Sequence, residues 1–243
     1  MNAPEKLENV NSRAWPPLVE EHLGDWRLRW AGGFTGRANS ALAVGDPGVA
    51  VSEALRAVCD FAHDRGIRPM VQVVRDSANE RAIVAEGWLE GRAHSASHEV
   101  VVLTGALPDG GGDAEILDEP TSGWWELTSG PAGPSEAERH VLTTGKIGYG
   151  VAVRDGVTAG AVRGALVDDW LHVARLAVRP EFRRRGIASD LMGALGAWGT
   201  AQGAGRWVLQ VAEDNAGALA FYAGLGCTPH HRYRYWVSED PTS

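Results

Sequence analysis

The sequence predicts an α/β protein (α+β) built from two similar tandem units, and three observations support this prediction. Residues 171–198 have the pattern of a strand, a basic turn and an amphipathic helix. Residues 42–73 repeat the same order of elements without the basic turn. Between the copies, Pro-Asp-Gly-Gly-Gly-Asp at 108–113 has the composition of a linker. We therefore predict a first unit over residues 1–106, a linker over 107–113 and a second unit over 114–243.

Composition narrows the class of protein. The chain has 243 residues, 44% of them apolar, which is enough for packed cores. Its net charge of −8 argues against binding to nucleic acid. Cys59 and Cys227 lack a metal-ligand spacing and indicate a reducing compartment. Because the sequence shows neither a signal peptide nor a run of roughly 18 apolar residues, we expect a cytoplasmic protein without a membrane partner. From the charge and the cysteine spacing we also expect no nucleic-acid partner and no metal.

The first unit begins with two elements that local patterns predict. After Pro16 and Pro17 we expect a short helix with Leu18 and Leu23 facing inward. The segment 25–31, which alternates as WRLRW, then predicts a strand, which Gly32-Gly33 ends.

The rest of the first unit matches the second. Leu42-Ala43-Val44 repeats Leu176-Ala177-Val178, and residues 52–73 align without a gap to residues 190–211 at an offset of 138. Val44 is four positions from Gly48, whereas Val178 is eight positions from Gly186. The interpretation is a duplication in which the first copy has kept its core positions and lost the basic turn.

Turn signals divide the second unit. Residues 114–117 and 124–127 are strand candidates, and Ser135 with Glu138 indicates the N-terminus of a short helix. Asp155-Gly156 predicts a hairpin between strands at 149–153 and 157–167. After the central stretch, the pattern predicts a strand at 207–211, a helix at 215–224 and a final strand at 228–237.

The central stretch has the composition of an anion site. Pro180 ends the strand, and Arg183-Arg184-Arg185-Gly186 precedes a helix whose apolar stripe starts at Ile187. A helix N-terminus offers unpaired N–H groups and a partial positive charge, and arginines add charge-assisted bonds to phosphate. A solvated basic turn or a targeting patch is the alternative interpretation.

At this point the residues resemble a known family. The run 183–188 matches the Q/R-x-x-G-x-G/A signature of the GNAT superfamily of N-acetyltransferases, and 176–181 resembles the usual lead-in. Asn215, Ala218, Tyr222, Leu225 and Gly226 are similar to its closing pattern. The resemblance implies two mixed-sheet units with helices on both faces, the first of them degenerate. It also implies transfer of an acetyl group from acetyl-CoA to the amine of a small molecule. The alternative is a non-catalytic acyl-CoA-binding regulatory protein.

The resemblance also implies how acetyl-CoA binds. The pantetheine arm would lie along the main chain of one segment, and the diphosphate would lie on the basic turn and the first helical turn. Asn215 could cap a helix or contact the cofactor arm. The implied cofactor-binding residues are Leu176, Ala177, Val178, Arg183, Arg184, Arg185, Gly186, Ile187, Ala188, Ser189 and Asn215.

Two residues are candidates for catalysis. The resemblance places Tyr222 where it would protonate the leaving thiolate, although a helical tyrosine can also simply fill a core. His172 stands where some members have a glutamate base, with Asp168, Asp169, Glu213 and Asp214 as alternatives acting through water. Near the C-terminus, His230 and His231 would rim the acceptor pocket or cover the sheet. The sequence is consistent with a monomer or a homodimer.

Overall fold

The computed structural model describes residues 1–91, 99–108 and 111–238. The first elements are α1 (Ala3–Arg13), β1 (Val19–Leu23), β2 (Trp26–Trp30), β3 (Ala41–Ala43), α2 (Val51–His63), β4 (Met70–Val74), α3 (Ala78–Ala85), β5 (Leu89–Gly91) and β6 (Glu99–Ala106). They are followed by β7 (Glu115–Leu117), α4 (Ser122–Ser129), α5 (Glu136–Thr143), β8 (Lys146–Arg154), β9 (Val157–Val167), β10 (Trp170–Val178), α6 (Ile187–Ala201), β11 (Arg206–Ala212), α7 (Ala216–Gly224) and β12 (Thr228–Val237). Within the described residues, none of these helices is long and apolar enough to cross a membrane.

The chain forms two compact units whose bounds differ from the predicted division. The first contains Met1–Leu103, Val211–Phe221 and Pro229–Ser243, and the second contains Thr104–Gln210 and Tyr222–Thr228. The prediction placed all of residues 114–243 in one unit, whereas β12 belongs with the first unit because it pairs antiparallel with β4. Local patterns do not encode such a distant pairing. Residues 109 and 110 of the predicted linker lie outside the described residues.

The sheet of the first unit is mixed and has helices on both faces. Its strand order is β1-β2-β3-β4-β12-β6, with β3 and β4 parallel and β12 antiparallel to β4. Val71 and Val73 pack with Leu55 and Val58 of α2 in one core. Because side chains alternate along a strand, Gln72 faces the other way and donates a hydrogen bond to Glu8 of α1.

The N-terminal prediction is wrong. A helix forms at Ala3–Arg13, before the two prolines, and β1 occupies the place of the predicted helix. Asn2 and Glu5 form a reciprocal capping box that fixes the start of α1. The segment after Pro17 extends because β1 pairs antiparallel with the whole of β2. The strand predicted at 25–31 is confirmed and spans Trp26–Trp30.

The strand predicted at 124–127 is also wrong, because these residues lie in α4. The Oγ1 atom of Thr121 accepts a hydrogen bond from the backbone N–H of Trp124 at 3.1 Å and caps this helix. Trp124 is fully buried, its indole N–H donates to the carbonyl of Val162, and its ring meets that of Tyr149 edge-on. Tertiary packing of these rings therefore overrides their preference for strands.

We expect Trp124→Ala to lower the free energy of unfolding by about 3–5 kcal/mol, because it opens a cavity and leaves the Val162 carbonyl without its donor. Urea denaturation followed by circular dichroism measures this. The matched control is Trp170→Ala, since that half-buried ring lies beneath the guanidinium of Arg206 at 4.0 Å. A loss no larger than that of the control would contradict the assigned role.

The second unit is also a mixed sheet between helices. Its order is β11-β10-β9-β8-β7, in which β10 and β11 are parallel and the predicted β8–β9 hairpin is present. A Cβ atom at Gly160 would lie 2.7 Å from Ile187, and one at Gly164 would lie 2.7 Å from Leu195, so glycine lets α6 approach the sheet. Arg163 faces away from α6 and donates to the Leu142 carbonyl of α5. The predicted fold class is confirmed.

Candidate active site

The strand β10 departs from regular geometry at its C-terminal half. Its register against β9 shifts between Ala174 and Ala177, and Arg175 has a φ of 57°. In the described pairing, β11 accompanies β10 only as far as Val173, which is opposite Leu209. Beyond the bulge, the edge of β10 that faces β11 has main-chain groups available to an added extended chain.

Leu176, Ala177 and Val178 lie in this half of the strand. All three are half-buried, and the pairing with β9 continues through Ala177 and Val178. The structure therefore presents the segment that the sequence assigned to the pantetheine arm as a strand edge, where side-chain identity matters little.

The arginine loop comprises Arg183–Gly186 and connects a short 3-10 helix at Pro180–Phe182 to α6. All four of its residues are exposed. Gly186 is the N-cap of α6 and has a φ of 80°, a conformation that glycine adopts without strain. Because glycine has no side chain, the space in front of the helix stays open. An anion at this point would meet free N–H groups and the positive end of the helix dipole.

The charges of the arginine loop are not neutralised by neighbouring side chains. Across the described parts of the chain, no carboxylate forms an ion pair with Arg183, Arg184 or Arg185. Arg183 donates from Nε to the carbonyl of Val178 at 3.2 Å, and the guanidinium of Arg185 lies 5.5 Å from the centre of the Phe182 ring. These contacts leave N–H donors on each guanidinium for a bound anion.

The first turn of α6 supplies the remaining predicted contacts. Ile187 is buried against Gly160 and anchors the helix to the sheet, so only its backbone can meet a ligand. Ala188 is half-buried and Ser189 is exposed. Asp190 accepts from the Arg154 guanidinium at 3.5 Å, so its charge is partly balanced.

The turn before α2 in the first unit, which corresponds to the arginine loop, is acidic and not basic. Before α2, the backbone N–H of Asp46 donates to the carboxylate of Asp25 at 2.9 Å, and Gly48 N–H donates to the carboxylate of Asp46 at 2.8 Å. The chain thus supplies two anions of its own at this turn. A bound diphosphate would meet repulsion there instead of the attraction that the arginine loop provides.

Tyr222 lies on α7 and is 9% exposed. Burial raises its pKa to about 12, and the neighbouring Cys227 contributes to this rise. The Tyr222 carbonyl accepts hydrogen bonds from the N–H groups of Leu225 and Cys227, which fixes the end of the helix. Burial also raises the pKa of Cys227 to about 11, so this thiol stays protonated near neutrality.

His172 and Asn215, the other two predicted site residues, have surroundings typical of residues that stabilise the fold. His172 is fully buried in the centre of the sheet, opposite Ala165 of β9 and Val208 of β11. Asn215 accepts a hydrogen bond from the N–H of Ala218 at 3.0 Å and so acts as the cap of α7. Asn215 belongs to the first compact unit. The alternatives Asp169 and Glu213 form ion pairs with Arg206 and Arg232, respectively.

Arg175 is a residue that the sequence analysis missed. It stands at the bulge of β10, donates to the Thr128 carbonyl at the end of α4 at 3.2 Å, and lies 3.6 Å from the Glu138 carboxylate of α5. It therefore ties both helices to the irregular half of β10. A positively charged residue inside an otherwise apolar alternating run was the available signal, but a bulge cannot be recognised from alternation alone.

The family model described as "Probable histone acetyltransferase Rv0428c C-terminal" matches residues 5–236, which is nearly the whole chain. The chain belongs to this acetyltransferase family. Together with its fold, this match shows a GNAT-type acetyltransferase, as the resemblance implied.

Other proteins share its length and fold. An uncharacterized N-acetyltransferase, YobR of Bacillus subtilis (strain 168), is 23% identical over 94% of this chain and 97% of its own length. A GCN5-related N-acetyltransferase from Kribbella flavida has a similar structure, with a TM-score of 0.70 at 15% identity over 99% of this chain and 97% of that one. A tandem GNAT protein from the clavulanic acid biosynthesis pathway gives a TM-score of 0.62 at 14% identity, covering 98% and 89% of the two chains. These structural matches show the fold alone.

Proposed function

We propose that this acetyltransferase takes its acetyl group from acetyl-CoA and transfers it by direct attack to the amine of a small molecule. The observation that carries the proposal is the exposed arginine loop at the N-terminus of α6, which follows the half of β10 where the described pairing with β11 has ended. A diphosphate carries two or more negative charges, and this loop offers three guanidinium groups plus helix N–H groups. The residues 183–189 would hold the diphosphate, and 176–178 would bind the pantetheine arm through their backbone.

The attacking amine must be neutral. An alkyl amine with a pKa near 10 is only about one part in a thousand neutral at pH 7, which costs roughly 4 kcal/mol. Attack on the thioester carbonyl forms the C–N bond, and collapse of the tetrahedral intermediate breaks the C–S bond and expels a thiolate. The proton lost from the amine ends on solvent or on a base.

We assign to Tyr222 the role of stabilising the leaving thiolate. Its pKa of about 12 lies roughly 3.5 pH units above that of an ordinary thiol, so complete proton transfer would be uphill by about 5 kcal/mol. The hydroxyl is therefore better suited to donating a strong hydrogen bond to the developing thiolate than to releasing its proton. The burial that raises the pKa also strengthens this bond.

His172 was a candidate base, and its full burial in the sheet supports a structural role instead. We expect His172→Asn to lower stability while leaving the pH dependence of kcat/KM unchanged in shape. A base with a pKa near 6.5 would instead produce an acidic limb, and its removal would abolish that limb. Rate measurements between about pH 5.5 and 9 on the folded variant distinguish these outcomes. Loss of the limb would restore His172 as the base.

We further propose that the segments 37–88 and 171–227 arose by duplication. In each, a parallel strand pair is bridged by a helix: β3 and β4 by α2, and β10 and β11 by α6. Ser77 caps the next helix through the N–H of Glu80, as Asn215 does through that of Ala218. The acidic turn at Asp46 supports the view that the first unit does not bind acetyl-CoA.

The competing function is a regulatory protein that binds acyl-CoA without turnover. Isothermal titration with acetyl-CoA, followed by thiol-release assays with small amines and a lysine-containing peptide, separates the two. Binding with acetylation of a small amine supports the proposal. Tight binding without turnover would favour the regulator, and absence of binding would contradict both.

A further inference from the structure

The bulge in β10 contains a backbone conformation that its residue does not favour. Six described residues other than glycine have a positive φ, and of these only Arg175 lies inside a strand, whereas the others lie in turns or loops. Arginine has neither the freedom of glycine nor the short polar side chain with which Asn and Asp tolerate this region. The conformation at Arg175 therefore persists only because the surrounding structure holds it.

The side chain of Arg175 is held at two points. Its Nη1 atom donates to the Thr128 carbonyl at 3.2 Å, and its Nη2 atom lies 3.6 Å from Oε1 of Glu138. Thr128 lies in the last turn of α4, where carbonyl groups lack an intrahelical partner and attract a cation. The side chains of Arg175 and Glu138 are 27% and 13% exposed, so this pair is less screened by water than a surface ion pair.

Both of these contact points are fixed independently of Arg175. The Oγ1 atom of Thr128 donates to the carbonyl of Trp124 at 2.9 Å, and Trp124 is fully buried. Glu138 lies in the first turn of α5, where its backbone N–H donates to the N-cap Ser135 at 3.1 Å. The guanidinium therefore joins the bulge to two helix ends that have their own anchors.

The bulge determines which main-chain groups the end of β10 presents. From Ala174 to Ala177 the chain of β10 advances three residues, whereas their partners on β9, Arg163 and Ala161, are two residues apart. One extra residue is thus inserted in β10. Successive residues of a strand direct their N–H and C=O groups to opposite edges. Removing or moving the bulge would therefore exchange the groups that residues 176–178 direct to the edge facing β11.

We propose that Arg175 is a positioning residue for acetyl-CoA. Its guanidinium, bonded to α4 and α5, fixes the bulge of β10, and the bulge presents the backbone of residues 176–178 to the pantetheine arm. The side chain of Arg175 acts through this backbone and is itself directed at Thr128 and Glu138. The inference rests on the proposed function, in which the same backbone binds the arm.

Two ligands separate positioning from a merely structural role. Acetyl-CoA has the pantetheine arm, whereas 3′-phospho-ADP is the part of CoA that carries the diphosphate without the arm. In the unmodified chain, acetyl-CoA should bind at least about tenfold more tightly, because only its arm contacts residues 176–178. A general loss of stability would change the affinity for both ligands alike. A displaced bulge would weaken the binding of acetyl-CoA alone.

The test is isothermal titration of Arg175→Gly with both ligands. Glycine adopts a φ of 57° without strain, so this variant removes the two side-chain contacts and adds no backbone clash. We expect its affinity for acetyl-CoA to fall at least about tenfold and its affinity for 3′-phospho-ADP to stay within about twofold. Circular dichroism checks that it folds. Should it not fold, Glu138→Gln, which weakens one contact, is expected to lower only the affinity for acetyl-CoA, by about threefold.

The matched control is Arg206→Gln, because the partners of Arg206, Asp169 and Trp170, lie on neither helix. This variant should bind both ligands normally, and a selective loss of acetyl-CoA affinity in it would overturn the inference. If the unmodified chain binds neither ligand, the proposed function itself fails. If it binds both, and Arg175→Gly changes the two affinities in parallel or not at all, only the positioning role fails.

Discussion

Replacing Arg183, Arg184 and Arg185 by glutamine should weaken acetyl-CoA binding at least about 100-fold. All three side chains are exposed, and no described carboxylate pairs with them, so their charges are available to the diphosphate. A hydrogen bond to a charged group contributes about 1.5–3 kcal/mol, and two such contacts, reduced by solvent screening, already account for this factor. Isothermal titration at low and high salt measures it, and the unmodified chain should lose affinity as salt rises.

The matched control replaces Arg13, Arg56 and Arg68 by glutamine. These arginines are exposed in the first unit, and the control removes the same number of positive charges from the chain. Its affinity should stay within about threefold of the original. If the two triple variants behave alike, the arginine loop is an ordinary solvated turn and the proposed diphosphate site is wrong.

The second large effect is expected from Tyr222→Phe, which should lower kcat about 100-fold with little change in KM for acetyl-CoA. The hydroxyl would stabilise charge that exists only as the thiolate leaves, so its removal affects the transition state and not ground-state binding. Because the pKa of Tyr222 is about 12, its proton stays bound below roughly pH 11. The loss in kcat should therefore be the same throughout the range from about pH 6 to 10.

Tyr149→Phe is the control for this experiment. Tyr149 is likewise buried in the second unit with a raised pKa, but its hydroxyl donates to the Leu142 carbonyl. Its removal should lower the free energy of unfolding by about 1 kcal/mol and leave kcat unchanged. A Tyr222→Phe enzyme within about twofold of the original rate would show that Tyr222 only packs.

The features of this fold that the sequence predicted correctly are those that short-range rules determine. The alternation of β10, the turn after Pro180 and the apolar stripe of α6 lie within about 30 residues of one another, and each follows from short-range rules. The caps at Ser77 and Asn215 also depend only on the next three residues. One error lies where long-range packing decides, at Trp124, whose indole donates a hydrogen bond to a strand 38 residues away. By contrast, α1 was missed although the capping box of Asn2 and Glu5 is a local signal.

The sequence by itself determined the order of strands and helices from α5 to β12, the basic turn before α6 and the absence of such a turn before α2, because periodicity and turn chemistry are local. Only the tertiary structure decided that β12 joins the first unit, that β10 bulges at Arg175, and that the side chains of Glu8 and His231, 223 residues apart in the chain, come within 3.1 Å of each other. Each of these depends on backbone groups and side chains that meet only after the chain has folded, since a pairing partner's identity is not written in the residues beside it.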